Sequence, residues 1–151
     1  MYGRFVAFLT LFASFSAVAL PSEGPAADVV VEEAWVIPSG ATVASLYLVI
    51  NNRGDAQVVL EAVSSPLAQS MRLMRPSGEE FPRGAVIPIH SELYMQPGGV
   101  YVALDGLQGP LVEGQVIPLT VRLGSGKSAQ LSAVVLAADA SPPDHHDYVH
   151  P

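Results

Sequence analysis

From residue 28 to residue 138 the apolar residues recur with a period of two, in short runs punctuated by glycine and proline. "ASLYLVINN" (44–52) sets Leu46, Leu48 and Ile50 against Tyr47 and Val49. "QVIPLTVRLG" (115–124) sets Leu119, Val121 and Leu123 against Thr120 and Arg122. Successive side chains of a strand point to opposite faces, so this alternation predicts strands with one face turned to a core. "VVVEEAWV" (29–36), "QVVLEAVSS" (57–65), "QSMRLMR" (69–75), "ELYM" (92–95), "VYVALDGL" (100–107) and "SAQLSAVVLAA" (128–138) read the same way. "NNRGD" after residue 50, "PGG" (97–99) and "GSGK" (124–127) carry the residues of tight turns. Residues 76–91, with Pro76, Gly78, Pro82, Gly84 and Pro88, read as a loop. Pro118 has no N–H to give a ladder and suits an edge or a bulge. Short strands between Gly/Pro turns, with almost no helical periodicity, predict one all-β domain over 28–138, an antiparallel sandwich or barrel.

The first nineteen residues break the pattern. Arg4 is followed by an unbroken apolar run, "FVAFLTLFASFSAVA" (5–19), that ends on Ala17-Val18-Ala19. Charge, apolar stretch and small-residue site, in that order, read as a secretory signal peptide cleaved after Ala19. An uncleaved membrane anchor is the alternative, for which the run is somewhat short. Export to the periplasm is expected, and no later stretch is long and apolar enough to span a bilayer. Residues 20–27, "LPSEGPAA", form a lead-in.

Charge and cysteine content then narrow the function. The chain has 7 basic and 14 acidic residues, and the formal net charge is −7. Losing Arg4 with the leader makes the mature chain more acidic still. There is no basic patch to neutralise phosphates, so nucleic acid is not an expected partner. The absence of cysteine removes thiolate chemistry and Cys-based metal sites. An exported domain without disulfides must be held by its core alone, which about 110 residues of this composition can supply. No G-x-S-x-G elbow and no phosphate-cradling glycine loop between a strand and a helix occurs, so no enzyme is expected.

Several stretches together carry a family likeness: "VEEAWVIPSG" (31–40), "LYLVINNRGDAQVVLEAVSSPLAQSMRLM" (46–74) and "ELYMQPGGVYVALDGLQGPLVEGQVIPLTVRL" (92–123). In order and spacing they resemble the periplasmic copper chaperones called PCu(A)C, over nearly all of residues 29–138. The resemblance implies a cupredoxin-like antiparallel β-sandwich of Greek-key type. It also implies a role in passing copper toward respiratory oxidase assembly, with a copper-accepting exported or membrane-anchored protein as partner.

The same resemblance implies a Cu(I) site of two histidines and two methionines, soft to borderline donors that need no thiolate. One His would end the "SMRLM" strand, a Met would follow in the next loop, and a His-x-Met pair would follow "PGG". Here the first position aligns with Met74, the loop Met falls near Glu79, Glu80 or Phe81, and the His-x-Met pair becomes Tyr101 and Ala103. One substituted thioether is left of four donors, so the core site is expected to be degenerate, with Cu(I) there in doubt. By parity Met71 shares a face with Leu73, and Met74 with Arg72. Met71 and Met95 read as core filler, and His90 as an exposed loop histidine.

The chain ends "SPPDHHDYVHP". Residues 139–143 read as a stiff linker and 139–151 as a flexible tail. His145, His146 and His150, with Asp144 and Asp147 between them, form a short tract of metal-ligand type. Without a Met the tail suits Cu(II) or a borderline divalent ion better than Cu(I). A solvated end with no ligand is the alternative. Two functions follow from this reading. One is an exported copper chaperone-like protein with a degenerate core site and a metal-capturing tail. The other is a non-metal periplasmic binding or assembly-accessory module on the same scaffold.

Overall fold

A computed structural model describes residues 28–140. The expected leader (1–19), the lead-in and most of the tail, including Asp144, His145, His146, Asp147 and His150, lie outside the described residues.

Among the described residues nine strands follow one another: β1 Val29–Pro38, β2 Ala44–Asn52, β3 Val58–Ser64, β4 Ser70–Met74, β5 Ala85–Ile87, β6 Ser91–Tyr94, β7 Tyr101–Asp105, β8 Val116–Leu123 and β9 Ser128–Val135. They form one hydrogen-bonded sheet in the order β4-β7-β2-β1-β9-β8-β3-β5, with β6 also on β2. The sheet wraps around a single core, giving the all-β, cupredoxin-like sandwich expected. All pairings are antiparallel except β1 with β9, where Trp35 and Val36 lie beside Val134 and Val135. That parallel contact joins the first strand to the last. It depends on where distant segments meet and leaves no local trace in the alternation. β5 is a strand where the sequence reads as loop. Its three residues pair with Val58–Leu60, and a run that short among Gly and Pro offers too few positions for a period to show.

β2 is the spine. Leu46, Leu48 and Ile50 are fully buried on one side, and Tyr47 and Val49 are buried on the other. Each such side chain taken out of water stabilises the fold by about 1.5–3 kcal/mol before chain entropy is charged against it. Trp35 stacks on its cross-strand neighbour Tyr47, with ring centroids 5.7 Å apart. Along one edge β2 pairs first with β7 and then with β6. Between the two, Gln96–Val100 loops out and turns at Gly98, whose φ of 82° suits glycine. Gly99 N–H closes the turn on Gln96 O at 2.8 Å.

Two β-bulges have the same construction. In β1 the register shifts between Val31 and Glu33, and in β3 between Leu60 and Ala62. The extra residue is a glutamate each time, pushed out of the ladder. Each meets an arginine at 3.0 Å, Glu32 with Arg53 and Glu61 with Arg122. Pro118 fits its expectation. It pairs with Ser132 on β9, while the β3 ladder starts only at Thr120, so its missing N–H lies on a locally free edge.

The "NNRGD" turn is fixed by Asn52, among the described residues the one polar side chain buried to the level of the core, at 1% exposure. Its amide donates to Ala56 O (2.9 Å), Pro88 O (3.0 Å) and Ile87 O (3.2 Å), and its oxygen accepts Gly54 N–H (3.1 Å). A buried amide tied on both ends joins the end of β2 to the β5–β6 connection without an unsatisfied atom.

Candidate functional site

β4 and β7 lie side by side in full register, from Ser70↔Asp105 to Met74↔Tyr101. Residues directly opposite share a face. Met71 and Leu73 therefore look inward with Val102 and Leu104. Ser70, Arg72 and Met74 look outward with Tyr101, Ala103 and Asp105. Three positions picked out from separate parts of the sequence, Met74, Tyr101 and Ala103, thus fall on one face of one two-stranded ribbon. Met74 is directly across from Tyr101, and Arg72 is across from Ala103.

That face holds one thioether and no imidazole. Beside them Arg72 Nη2 donates to Asp105 Oδ2 at 2.9 Å, so a guanidinium–carboxylate pair crosses the ribbon next to Ala103. Met74 is buried, at 7% exposure, although its parity partner Arg72 is exposed. The reason is the next segment. The chain turns at Arg75–Gly78, with Gly78 N–H on Arg75 O at 2.9 Å. It returns alongside β4, with Arg75 N–H on Glu79 O (2.7 Å), Phe81 N–H on Leu73 O (2.9 Å) and a bridge between Met74 and Glu80. Arg75 lies 4.8 Å over the Phe81 ring. The loop expected to deliver a sulfur delivers an aromatic ring and a cation–π contact instead.

Other soft donors are spoken for. Met95 is completely buried in the core, and Met71 packs against it. His90 is exposed, in a left-handed turn (φ 48°), with Nε2 3.0 Å from Asp55 Oδ1. Among the described residues no group of three or more His, Asp or Glu stands close enough to hold a metal ion. Sequence reasoning missed the Arg72–Asp105 pair and the Arg75–Phe81 stack. The parity of Arg72 was visible. Its partner, 33 residues on, could be found only through the register of two strands.

Comparison with known proteins places the family and the fold. Residues 29–135 match the family model described as "Putative lipoprotein LpqE-like". The chain belongs to the LpqE-like family. Its relative "Putative lipoprotein Lxx21020" of Leifsonia xyli subsp. xyli (strain CTCB07) is 31% identical over 142 residues, 86% of each protein. Among solved structures, the apo PCuAC domain of PmoF2 superposes with a TM-score of 0.66 at 24% identity, covering 76% of this chain and 94% of that one. That likeness is one of fold. The Cu(I)-bound DR1885 of Deinococcus radiodurans gives 0.63 at 29% identity, with 80% and 81% covered. The LpqE-like chain is thus a PCuAC-related protein, as the resemblance implied. Its relatives are called lipoproteins, yet its 151 residues include no cysteine, so none of them can take a lipid through sulfur.

Proposed function

We propose that this LpqE-like chain is an exported copper chaperone-like protein whose core Cu(I) site is degenerate, and that its C-terminal tail is the metal-capturing element. The observation that carries the first half is the pairing of Met74 with Tyr101, with Ala103 and the Arg72–Asp105 ion pair on the same face. Solved relatives carry copper on this fold, among them a copper-bound PCuAC domain of PmoF2 and Cu(I)-bound DR1885. Tight Cu(I) sites need several sulfur or imidazole donors. Here one thioether stands beside a guanidinium already held by Asp105, and no second sulfur or imidazole joins it on that face. The donor set does not fit Cu(I).

Export rests on Arg4, the Phe5–Ala19 run and the Ala17-Val18-Ala19 site, with the periplasm as destination and cleavage after Ala19. No helix among the described residues is long and apolar enough to cross a membrane. The domain is taken to run from residue 28 to 138. The last strand ends at Val135, and Leu136 N–H still bonds Val36 O at 2.8 Å. Copper chaperone-type domains bind and pass an ion rather than turn over a substrate, so the chain is read as a non-enzyme. Its partner is then a copper-accepting exported or membrane-anchored protein.

In the tail, His145, His146 and His150 supply neutral imidazoles, with Asp144 and Asp147 as oxygen donors. Such a site suits Cu(II), and it loses affinity as pH falls through the imidazole range near ~6.5, because protonated imidazole cannot ligate. The test is a Cu(II) titration of the purified chain with and without residues 139–151, followed by visible absorption. A signal present only with the tail, and lost between about pH 7 and pH 5, is the expected result. An equal signal from both forms would remove the tail from the account.

A second reading is favoured by one observation. The Arg72–Asp105 pair and the Arg75–Phe81 stack occupy the corner with side-chain contacts that need no metal. In that reading the chain is a non-metal binding or assembly-accessory module. Absence of any copper signal from either form would select it.

A further inference from the structure

The corner has a neighbour that neither function uses. The segment Glu80–Gly84 stands off from the ends of β3 and β8 and leaves a groove of about 590 Å³ between them. Its floor is Val59 with two glycines. Gly84 has φ +83°, and a Cβ there would sit 2.3 Å from Leu60 O, so any other residue would be strained and force the backbone to shift. Gly124 N–H is tied to Val59 O at 2.8 Å. The walls carry Phe81, Arg83 and Arg122 with Glu61 and Glu80. Behind Phe81 stands Arg75, and Lys127 lies in the hairpin that contains Gly124.

Charge is distributed unevenly around this groove. Arg83 and Arg122 line it with Glu61 and Glu80, and Arg75 stacks on its Phe81. The remainder of residues 28–140 holds three bases and nine acids. An acidic partner is therefore repelled over most of the surface and drawn to this end. Arg83 is exposed and makes no ion pair among the described residues. Arg122 is held by Glu61 in an exposed pair, a weak contact easily exchanged for an incoming carboxylate. Phe81 adds an aromatic wall. Arg and aromatic side chains in a concave setting are the residue types that dominate binding energy at interfaces.

We propose that this groove docks an extended acidic segment of a partner protein, with Arg83 as the principal anchor, its guanidinium taking one carboxylate in two-pronged fashion. The walls are pre-set by Gly84, by the return of the loop alongside β4 and by the Arg75–Phe81 stack, so little chain entropy is lost on docking. This extends the accessory role proposed above by naming a partner class, and it does not depend on copper.

The test uses the purified chain and a fluorescein-labelled octapeptide of alternating Glu and Gly, read by anisotropy at low ionic strength. Saturable binding is expected, weakened at least about tenfold by Arg83→Glu and to a lesser degree by Arg83→Lys, which keeps the charge and loses the fork. Added salt should weaken it, and a Lys/Gly octapeptide should not bind. Amide shifts should map to residues 59–61, 80–84 and 122–124. Unchanged affinity in Arg83→Glu with an unaltered circular dichroism spectrum would overturn the proposal. So would shifts confined to other surfaces, or no saturable binding. None of these outcomes bears on the copper titrations, so the two readings fail separately.

Discussion

The Asn52 turn closes the last residues of β2, and the β4–β7 corner flanks its first, yet the two are built on opposite terms. Asn52 is buried, and both ends of its amide are matched to backbone groups. A replacement without the amide leaves the buried Ile87 O, and with it Pro88 O and Gly54 N–H, without this partner. The corner is held by an ion pair that is 45% and 39% exposed on its two sides, by a cation–π contact and by a thioether. Such contacts can be exchanged for one another at small cost. One region therefore tolerates almost nothing, and the other can change its chemistry while the fold stays. A chain can thus keep the scaffold of copper-binding relatives while its own corner holds a guanidinium and a tyrosine.

The largest expected effect breaks the first region. Asn52→Leu leaves Ile87 O and Pro88 O without their donor, at a cost of about 3 kcal/mol. It should lower the melting temperature by roughly 10 °C or more in a thermal unfolding scan. Gly84→Ala comes next, because the new Cβ meets Leu60 O and the left-handed backbone disfavours it. About 2 kcal/mol of destabilisation is expected in a urea titration.

The third prediction sharpens the contrast. Tyr101→His together with Ala103→Met puts an imidazole and a second sulfur on the face of Met74. Cu(I) affinity, measured by competition with a chromophoric chelator, should rise at least about tenfold, or ~1.4 kcal/mol, with stability changed by less than about 1.5 kcal/mol. The smallest effect belongs to the corner's own ion pair. Arg72→Ala should cost no more than about 1 kcal/mol, and added salt should shrink the difference from the parent chain.

How much of this was legible in the sequence follows from the same distinction. Alternation is local, and it showed β2, with Leu46, Leu48 and Ile50 on its core side. It also showed β8, with Leu119, Val121 and Leu123 buried. Turn chemistry pointed to "NNRGD" and "PGG". What could not be read is set by distant pairing: the parallel β1–β9 contact, the three-residue β5, and the bond from Arg72 to Asp105. The burial of Met74 also escaped the parity rule, since it comes from a loop that folds back alongside its strand. Aligning Met74, Tyr101 and Ala103 with ligand positions required only order and spacing. That they share one face became visible only through the register of β4 with β7.

The most direct test is a Cu(I) titration, under anaerobic conditions and against a competing chelator, of the chain lacking residues 139–151. A core with one thioether, an ion pair and no imidazole predicts no sub-micromolar Cu(I) binding. One equivalent of Cu(I) held with sub-micromolar affinity by that shortened chain would contradict it.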